Sequence, residues 1–206
     1  MTMIKFYHAP WSRSSSVHWL LEELGQPFEI EPVDIRAPGG VPEGYREIQP
    51  NKKVPAIVDD GTVVTERAAI CLYLTEKFPE AGLAPAVGDD NRATFLTWLV
   101  YCDSVFDPCV AARAQGWEYV ANNFSFGAFD DMVRNLEKTL AERPYIAGEK
   151  FTAADTQLGS GIHFATHILG VLPKKQVFDD YLGRVTARPA FQRFMAKDAA
   201  AMGGSA

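Results

Sequence analysis

Apolar and polar positions change their spacing along the chain, and each change predicts an element. MIKFYH is short, rich in strand formers and ends just before Pro10, so it predicts a first strand. Val17, Leu20, Leu21 and Leu24 then recur at helical spacing, and Gly25 supplies a stop. From Phe28, FEIEPVDI alternates apolar and acidic positions, the period of a strand. RAPGGVPEG reads as loop from its Gly and Pro content. VPAIVDDGTVVTE predicts a hairpin: Ala56 to Val58, an Asp60-Gly61 turn, then Thr62 to Val64. From Glu66 to Phe78 the spacing is helical again, with Ile70 and Leu74 on one face. The order is β-α-β, a loop, then β-β-α.

After Pro79 the pattern becomes helical throughout. PEAGLAPAVGDD has linker composition, which predicts domains over 1–79 and 90–206 joined by 80–89. Arg92 to Val120 is a long apolar-rich stretch that Pro108 should kink or restart. Phe129, Met132, Val133, Leu136 and Leu140 predict an amphipathic helix closed by Pro144. Leu158, Ile162, Ala165 and Leu169 predict another, with shorter helices over Gln176 to Thr186 and Ala190 to Lys197. The tail AAAMGGSA is expected to fray. The fold class is therefore a small α/β domain followed by an all-helical domain.

Composition narrows the function classes. The 206 residues suffice for one large or two small domains, and 47 % of them are hydrophobic, enough to bury a core. A net charge of -6 argues against non-specific nucleic-acid binding and against a polybasic membrane anchor. Cys71, Cys102 and Cys109 have neither CxxC nor metal-ligand spacing, and so sparse a set suits a reducing compartment. The start lacks the layout of a secretion signal, and no apolar run approaches the roughly 18 residues that would span a bilayer. These features predict a cytoplasmic protein that binds neither nucleic acid nor membrane.

Three short stretches carry candidate chemistry. The first is APWSRSSSVHWLLEELG, which crowds hydroxyls at the front of a helix. Such serines can cap the helix, or they can hold and activate a small anion. The second is NKKVP, which sets Pro55 at the head of a strand, where it cannot donate to the ladder. It reads as an edge start or as a cis Val54-Pro55 bond that frees Val54 to pair with an extended peptide. In the third, Glu66 and Arg67 stand where a strand meets a helix. Glu66 reads as a capping carboxylate or as the holder of a ligand ammonium. Arg67 and free helix N–H groups suit a carboxylate, so a ligand with a free amino-acid end would match the pair.

The element order, NKKVPAIVDD, TERAAICLYLTEKFPE, the linker and the helical second half together resemble the cytosolic glutathione S-transferases, over nearly the whole chain. YIAGEKFTAADTQLG also resembles that family's helix start in its second domain, with Thr152 and Asp155 spaced as a capping box. The resemblance implies a thioredoxin-like N-terminal domain that binds glutathione and a helical domain that shapes a site for the electrophile. It implies that Val54, beside cis Pro55, pairs with the glutathione backbone, that Lys53 reaches the glycyl carboxylate, and that Glu66 takes the γ-glutamyl ammonium. Two positions depart from the family: Arg67 replaces a frequent Ser or Thr, and Lys52 a frequent Gly. In serine-type bacterial and theta-like relatives a Ser or Cys after strand one faces the sulfur, and the match is Ser12, with Ser14 in reserve. Tyr7, near the end of that strand, matches the catalytic position of tyrosine-type relatives. Ser14, Ser15 and Ser16 read otherwise as capping and first-turn polarity.

Other residues weigh less. His163 and His167 share a helix face at a spacing that can bind zinc, yet no third ligand lies nearby in sequence, so no metal is expected. Cys71 lacks a resolving partner, and His18 reads as structural. Trp11 and Tyr101 are candidate electrophile contacts. The implied function is conjugation of glutathione to small hydrophobic electrophiles by a homodimer, in detoxification. The alternatives are a non-catalytic binder of the same fold, or a glutathione-dependent peroxidase, dehalogenase or isomerase.

Overall fold

The computed structural model of the chain describes residues 3–203. It contains two compact units. One takes the chain up to Ala81 together with everything from Pro189 on; the other is Gly82–Arg188. The final helix thus clusters with the first unit, a membership that local sequence pattern does not reveal.

The first unit is built on a mixed four-stranded sheet in the order β2-β1-β3-β4, a thioredoxin-like arrangement. β1 (Ile4–His8) runs parallel to β2 (Phe28–Pro32) and antiparallel to β3 (Ala56–Asp59), which pairs antiparallel with β4 (Thr62–Thr65). Strand alternation turns Ile4, Phe6 and His8 to the buried side of β1 and leaves Lys5 exposed and Tyr7 half-buried on the other. Asp60 and Gly61 both take positive φ, 49° and 81°, which makes the type I′ turn that matches hairpin twist. β2 stops at Pro32, earlier than the alternation suggested, where its partner β1 ends at His8; one further bond, Val33 N–H to the His8 carbonyl at 2.8 Å, closes the ladder.

Helix α1 (Ser15–Leu24) buries Val17, Trp19, Leu20 and Leu21 completely, each contributing about 1.5–3 kcal/mol. Gly25 closes it in the left-handed region, its N–H donating to the Leu21 carbonyl. α2 (Arg67–Lys77) follows β4, and α8 (Pro189–Gly203) packs along α1. The α1–α8 contact is aromatic: the Trp19 ring lies 4.9 Å from Phe191 and 6.0 Å from Phe194. α8 extends well past Lys197; of the tail expected to fray, Gly204 to Ala206 lie outside the described residues.

The second unit is helical. α3 (Arg92–Tyr101) and α4 (Asp107–Ala114) form one continuous run through the π-helical turn Cys102–Phe106. Pro108 sits in the first turn of α4, and the wider π turn before it absorbs the missing N–H. The helix ends at Ala114, not at Val120. The run also corrects the expectation about apolar length. Arg92–Ala114 is 23 residues long and, with a mean hydropathy of 1.2 over its best window, is long and apolar enough to cross a membrane by length and composition alone. Of that window 44 % is buried within the protein. α5 (Phe129–Glu142), α6 (Ala153–His163) and α7 (Gln176–Thr186) complete the unit. Asp155 and Thr152 form the expected capping box, and Asp155 also accepts from Ile146 N–H and the Tyr181 hydroxyl at 2.8 and 3.0 Å. The line of Ala165 and Leu169 runs on through a second π turn, Phe164–Ile168.

Candidate active site

Strand register places three junctions in one row. Tyr7 pairs with Ala56, and Ala56 pairs with Thr65. The end of β1, the head of β3 and the end of β4 therefore share one end of the sheet. The segments leaving that row carry Ser12 and Ser14, Lys53 to Pro55, and Glu66 and Arg67.

At the head of β3 the Val54-Pro55 bond is cis. Val54 is half-buried and Lys53 exposed, with the Lys53 N–H held by the Gln49 side-chain oxygen at 3.0 Å. Lys52 adopts φ 54°, the left-handed conformation that glycine takes without cost. The loop thus keeps its shape despite the lysine. At the β4–α2 junction Glu66 has φ 66° and ψ 126°, a strained backbone for a residue with a Cβ. Its exposed side chain makes no capping bond, so the capping reading fails. Arg67 is only 6 % exposed, so it is not a solvated surface residue.

The serine cluster is also not a capping device. Ser14 is the N-cap of α1 but makes no side-chain cap bond. Its buried Oγ lies 2.7 Å from His8 Nδ1 and 2.8 Å from Ser12 Oγ, and accepts from Ala9 N–H at 3.2 Å. Ser12, half-exposed, lies 2.7 Å from the Ala9 carbonyl and accepts from Ser14 N–H at 3.1 Å. Ser15 donates to Asp198 Oδ2 at 2.8 Å, and Ser16 to the Arg13 carbonyl at 3.0 Å. Every hydroxyl of the cluster is committed to a tertiary or loop partner.

Behind the serines lies a buried network that the sequence does not advertise. Asp198 of α8 receives His8 Nε2 at 2.9 Å and His18 Nδ1 at 2.7 Å, both on Oδ1. Burial alone would raise the Asp198 pKa, but the hydrogen bonds from His18 and His8 outweigh it and hold the carboxyl well below the usual range. His8 is pushed below its ordinary value by burial, against the opposing pull of Asp198. Two imidazoles and a carboxylate are also a metal-ligand set. Here, however, one carboxylate oxygen takes both ring donors at hydrogen-bond distance, whereas a shared ion would stand about 2 Å from each ligand atom. The arrangement is that of hydrogen-bond partners.

Tyr7 faces away from this network. Its ring stands 5.6 Å from Tyr45, whose hydroxyl donates to the Lys53 carbonyl at 3.0 Å. Burial, with Tyr7 adding to it, pushes the Tyr45 phenol up to about 12. Trp11 is 38 % exposed in a left-handed turn, and its carbonyl accepts from Arg36 at 3.3 Å. Tyr101 belongs to the second unit, half-buried, with its ring 4.8 Å from Trp98. His163 and His167 do pair, at 4.8 Å between ring centroids.

Sequence reasoning missed the parts played by His8 and Asp198. A histidine on the buried face of a strand was the available signal for the first. Asp198 sits between Lys197 and a run of alanines, 190 residues from His8, and no local spacing betrays it.

Comparison with known proteins agrees with this layout. The family model for the glutathione S-transferase N-terminal domain matches residues 10–77. Glutathione S-transferase 3 of Schizosaccharomyces pombe is 29 % identical, over 76 % of this chain and 72 % of its own. The disulfide-bond oxidoreductase YfcG of Escherichia coli is 26 % identical, over 91 % of this chain and 92 % of its own. A sphingomonad glutathione S-transferase complexed with glutathione superimposes with a TM-score of 0.75 at 27 % identity, covering 95 % of this chain and 98 % of that one. Fold, site layout and these likenesses concur: residues 10–77 match the glutathione S-transferase N-terminal domain, and the chain as a whole is similar to glutathione S-transferases.

Proposed function

We propose that the protein binds glutathione, ionises its thiol with help from Ser12, and conjugates the thiolate to small hydrophobic electrophiles. One observation carries this reading. The half-exposed Ser12 hydroxyl stands just before α1, in the segment leaving the same sheet end as Val54-Pro55 and Glu66-Arg67. An extended tripeptide pairing with Val54, with its ammonium on Glu66 and its α-carboxylate at Arg67 and the α2 N-terminus, would direct its thiol toward Ser12. Lys53 then meets the glycyl carboxylate. Trp11 is the proposed contact of the electrophile in the first unit.

A free thiol titrates near about 8.5, so little of it is thiolate at neutral pH. A hydroxyl donor and the partial positive charge of the α1 start stabilise the anion. The same thiolate can attack a disulfide sulfur, forming a mixed disulfide and releasing a thiol, which is the chemistry that the likeness to YfcG brings into view. No cysteine of this chain stands at position 12, and all three cysteines are buried and outside any disulfide, so that exchange would use glutathione's sulfur alone. Thiols outside any disulfide fit the proposed cytoplasmic setting. We further propose a homodimer, which a dimer mass by light scattering at micromolar concentration would support and a monomer mass would refute.

The test is ultraviolet difference absorbance of bound glutathione against pH, joined to rate assays on electrophile and disulfide substrates. A lowered thiol pKa with turnover of electrophiles is expected. Binding without thiolate would assign the chain to the non-catalytic alternative.

A further inference from the structure

We infer that Ser14, His8 and Asp198 form a buried proton relay behind Ser12, with His8 as the terminal acceptor of the glutathione proton. The inference rests on the reading above that Ser12 faces the sulfur.

The hydrogen-bond directions follow from the partners. Asp198 Oδ1 can only accept, so His8 carries its hydrogen on Nε2 and presents a lone pair at Nδ1. Nδ1 therefore accepts from Ser14 Oγ–H at 2.7 Å. The Ser12 hydrogen has two acceptors within reach, the Ala9 carbonyl at 2.7 Å and Ser14 Oγ at 2.8 Å; in the relay it turns from the carbonyl to Ser14 Oγ, which can accept it once its own hydrogen lies on His8. The chain runs Ser12 to Ser14 to His8 to Asp198 without a gap wider than 2.9 Å. Only Ser12, its outer end, is open to solvent; His8, Ser14 and Asp198 are at most 2 % exposed.

Proton transfer through this chain balances. The thiol proton passes to Ser12 Oγ, the Ser12 proton to Ser14 Oγ, and the Ser14 proton to His8 Nδ1. One S–H bond is lost, one N–H bond is gained, and both serines end as hydroxyls. Afterwards each hydroxyl has reversed its direction: His8 donates to Ser14, Ser14 to Ser12, and Ser12 to the thiolate. The state that holds the proton is thus also the state in which Ser12 must donate outward. The reverse walk to water, once the product has left, resets the site. The Asp198 carboxylate stabilises the imidazolium, and the lowered pKa of His8 leaves its lone pair available at neutral pH. The charged groups around it are few. From α1 come His18 and Glu22, and from α8 come Asp198 together with Arg193 and Lys197, both engaged with Glu22. Ser12 would be the catalytic residue; Ser14 and Asp198 position and polarise.

The experiment uses the unaltered protein. Ring nitrogen shifts of His8 are recorded by NMR at neutral pH with saturating glutathione and with S-methylglutathione, which has no thiol proton to give. Thiolate absorbance is followed in the same samples. A doubly protonated His8 with glutathione, the thiolate charge raising a ring that burial otherwise holds low, and a neutral one with S-methylglutathione is the expected result. Thiolate absorbance with a neutral His8 overturns the relay while the proposed function stands. Absence of thiolate overturns that reading and the relay with it. Ser14→Ala supplies the second arm: it should raise the pKa of the bound thiol by about one unit, a tenfold loss of thiolate, and leave glutathione affinity unchanged. Ser14→Thr, which keeps the hydroxyl, should restore it. A wild-type thiol pKa in Ser14→Ala would refute the relay.

Discussion

His8 and Asp198 lie 190 residues apart in the chain and 2.9 Å apart between Nε2 and Oδ1. The last helix thereby closes the first unit with a buried charge that serves two imidazoles. Removing the carboxylate strands both ring donors in a dry site. Asp198→Ala should cost about 3–5 kcal/mol, the scale of breaking a buried pair from one side. Asp198→Asn keeps an acceptor oxygen and should cost less, about 1–3 kcal/mol. Urea unfolding of both variants checks the order; equal and small costs would show that α8 is held by its aromatics alone.

The same pair fixes a dependence on acid. His8 titrates lower in the fold than in the unfolded chain, so the unfolded chain binds the extra proton. Stability is therefore full above the ordinary histidine pKa, about 6.5, and falls as pH drops through it toward the depressed folded value. Asp198 is depressed as well, so its contribution is present above the unfolded carboxylate value of about 3.9 and is lost below it. Urea midpoints across acid pH should show two descending steps. His8→Gln should abolish the upper step and spare the lower one.

Much of this site was legible in the sequence, and the limits have physical causes. NKKVP and TERAA are local motifs whose chemistry stays local: the cis bond lies at Val54-Pro55, and Glu66 sits at the strand-to-helix turn. The capping reading of Ser14 to Ser16 failed because Ser14 and Ser15 found tertiary partners, among them an acid from the far end of the chain, while Ser16 bonds back to the Arg13 carbonyl. Periodicity gave the helices of the second unit but not their π turns, because a single i→i+5 turn has no residue signature of its own within a helical run.

Ser12 and Tyr7 make opposite kinetic predictions. Ser12→Ala should lower turnover by roughly ten- to a thousand-fold, the scale of losing one stabilising donor. The Michaelis constant for glutathione should scarcely change, because the tripeptide's other contacts remain. Tyr7→Phe should leave turnover nearly intact, since Tyr7 leaves β1 on the face opposite His8. If Tyr7→Phe is the inactive variant instead, Ser12 is not the donor.

Arg67 is buried at the start of α2, so a change there acts on both fold and ligand. A charge-assisted bond to a sheltered carboxylate contributes about 1.5–3 kcal/mol, against about 0–1 for an exposed pair. Arg67→Ala should weaken glutathione binding by about tenfold or more and leave the rate at saturating glutathione largely intact. Arg67→Lys keeps the charge and should recover part of the affinity. An unchanged dissociation constant by calorimetry in Arg67→Ala would make this guanidinium purely structural.

Glu66 separates backbone strain from ligand contact. Its φ of 66° costs a residue with a Cβ about 1–3 kcal/mol, and glycine would relieve that strain. Glycine also adds freedom to the unfolded chain, worth about 0.4–1 kcal/mol in the other direction. Glu66→Gly should therefore unfold at equal or higher urea than the unaltered protein, while losing the carboxylate proposed to hold the ligand ammonium. Glu66→Gln should retain the strain and the stability, yet weaken glutathione nearly as much, because a neutral amide replaces the anion. Strain held at an exposed residue with no capping bond calls for a functional reason. If Glu66→Gly gains stability and keeps full glutathione affinity, the ammonium is held elsewhere.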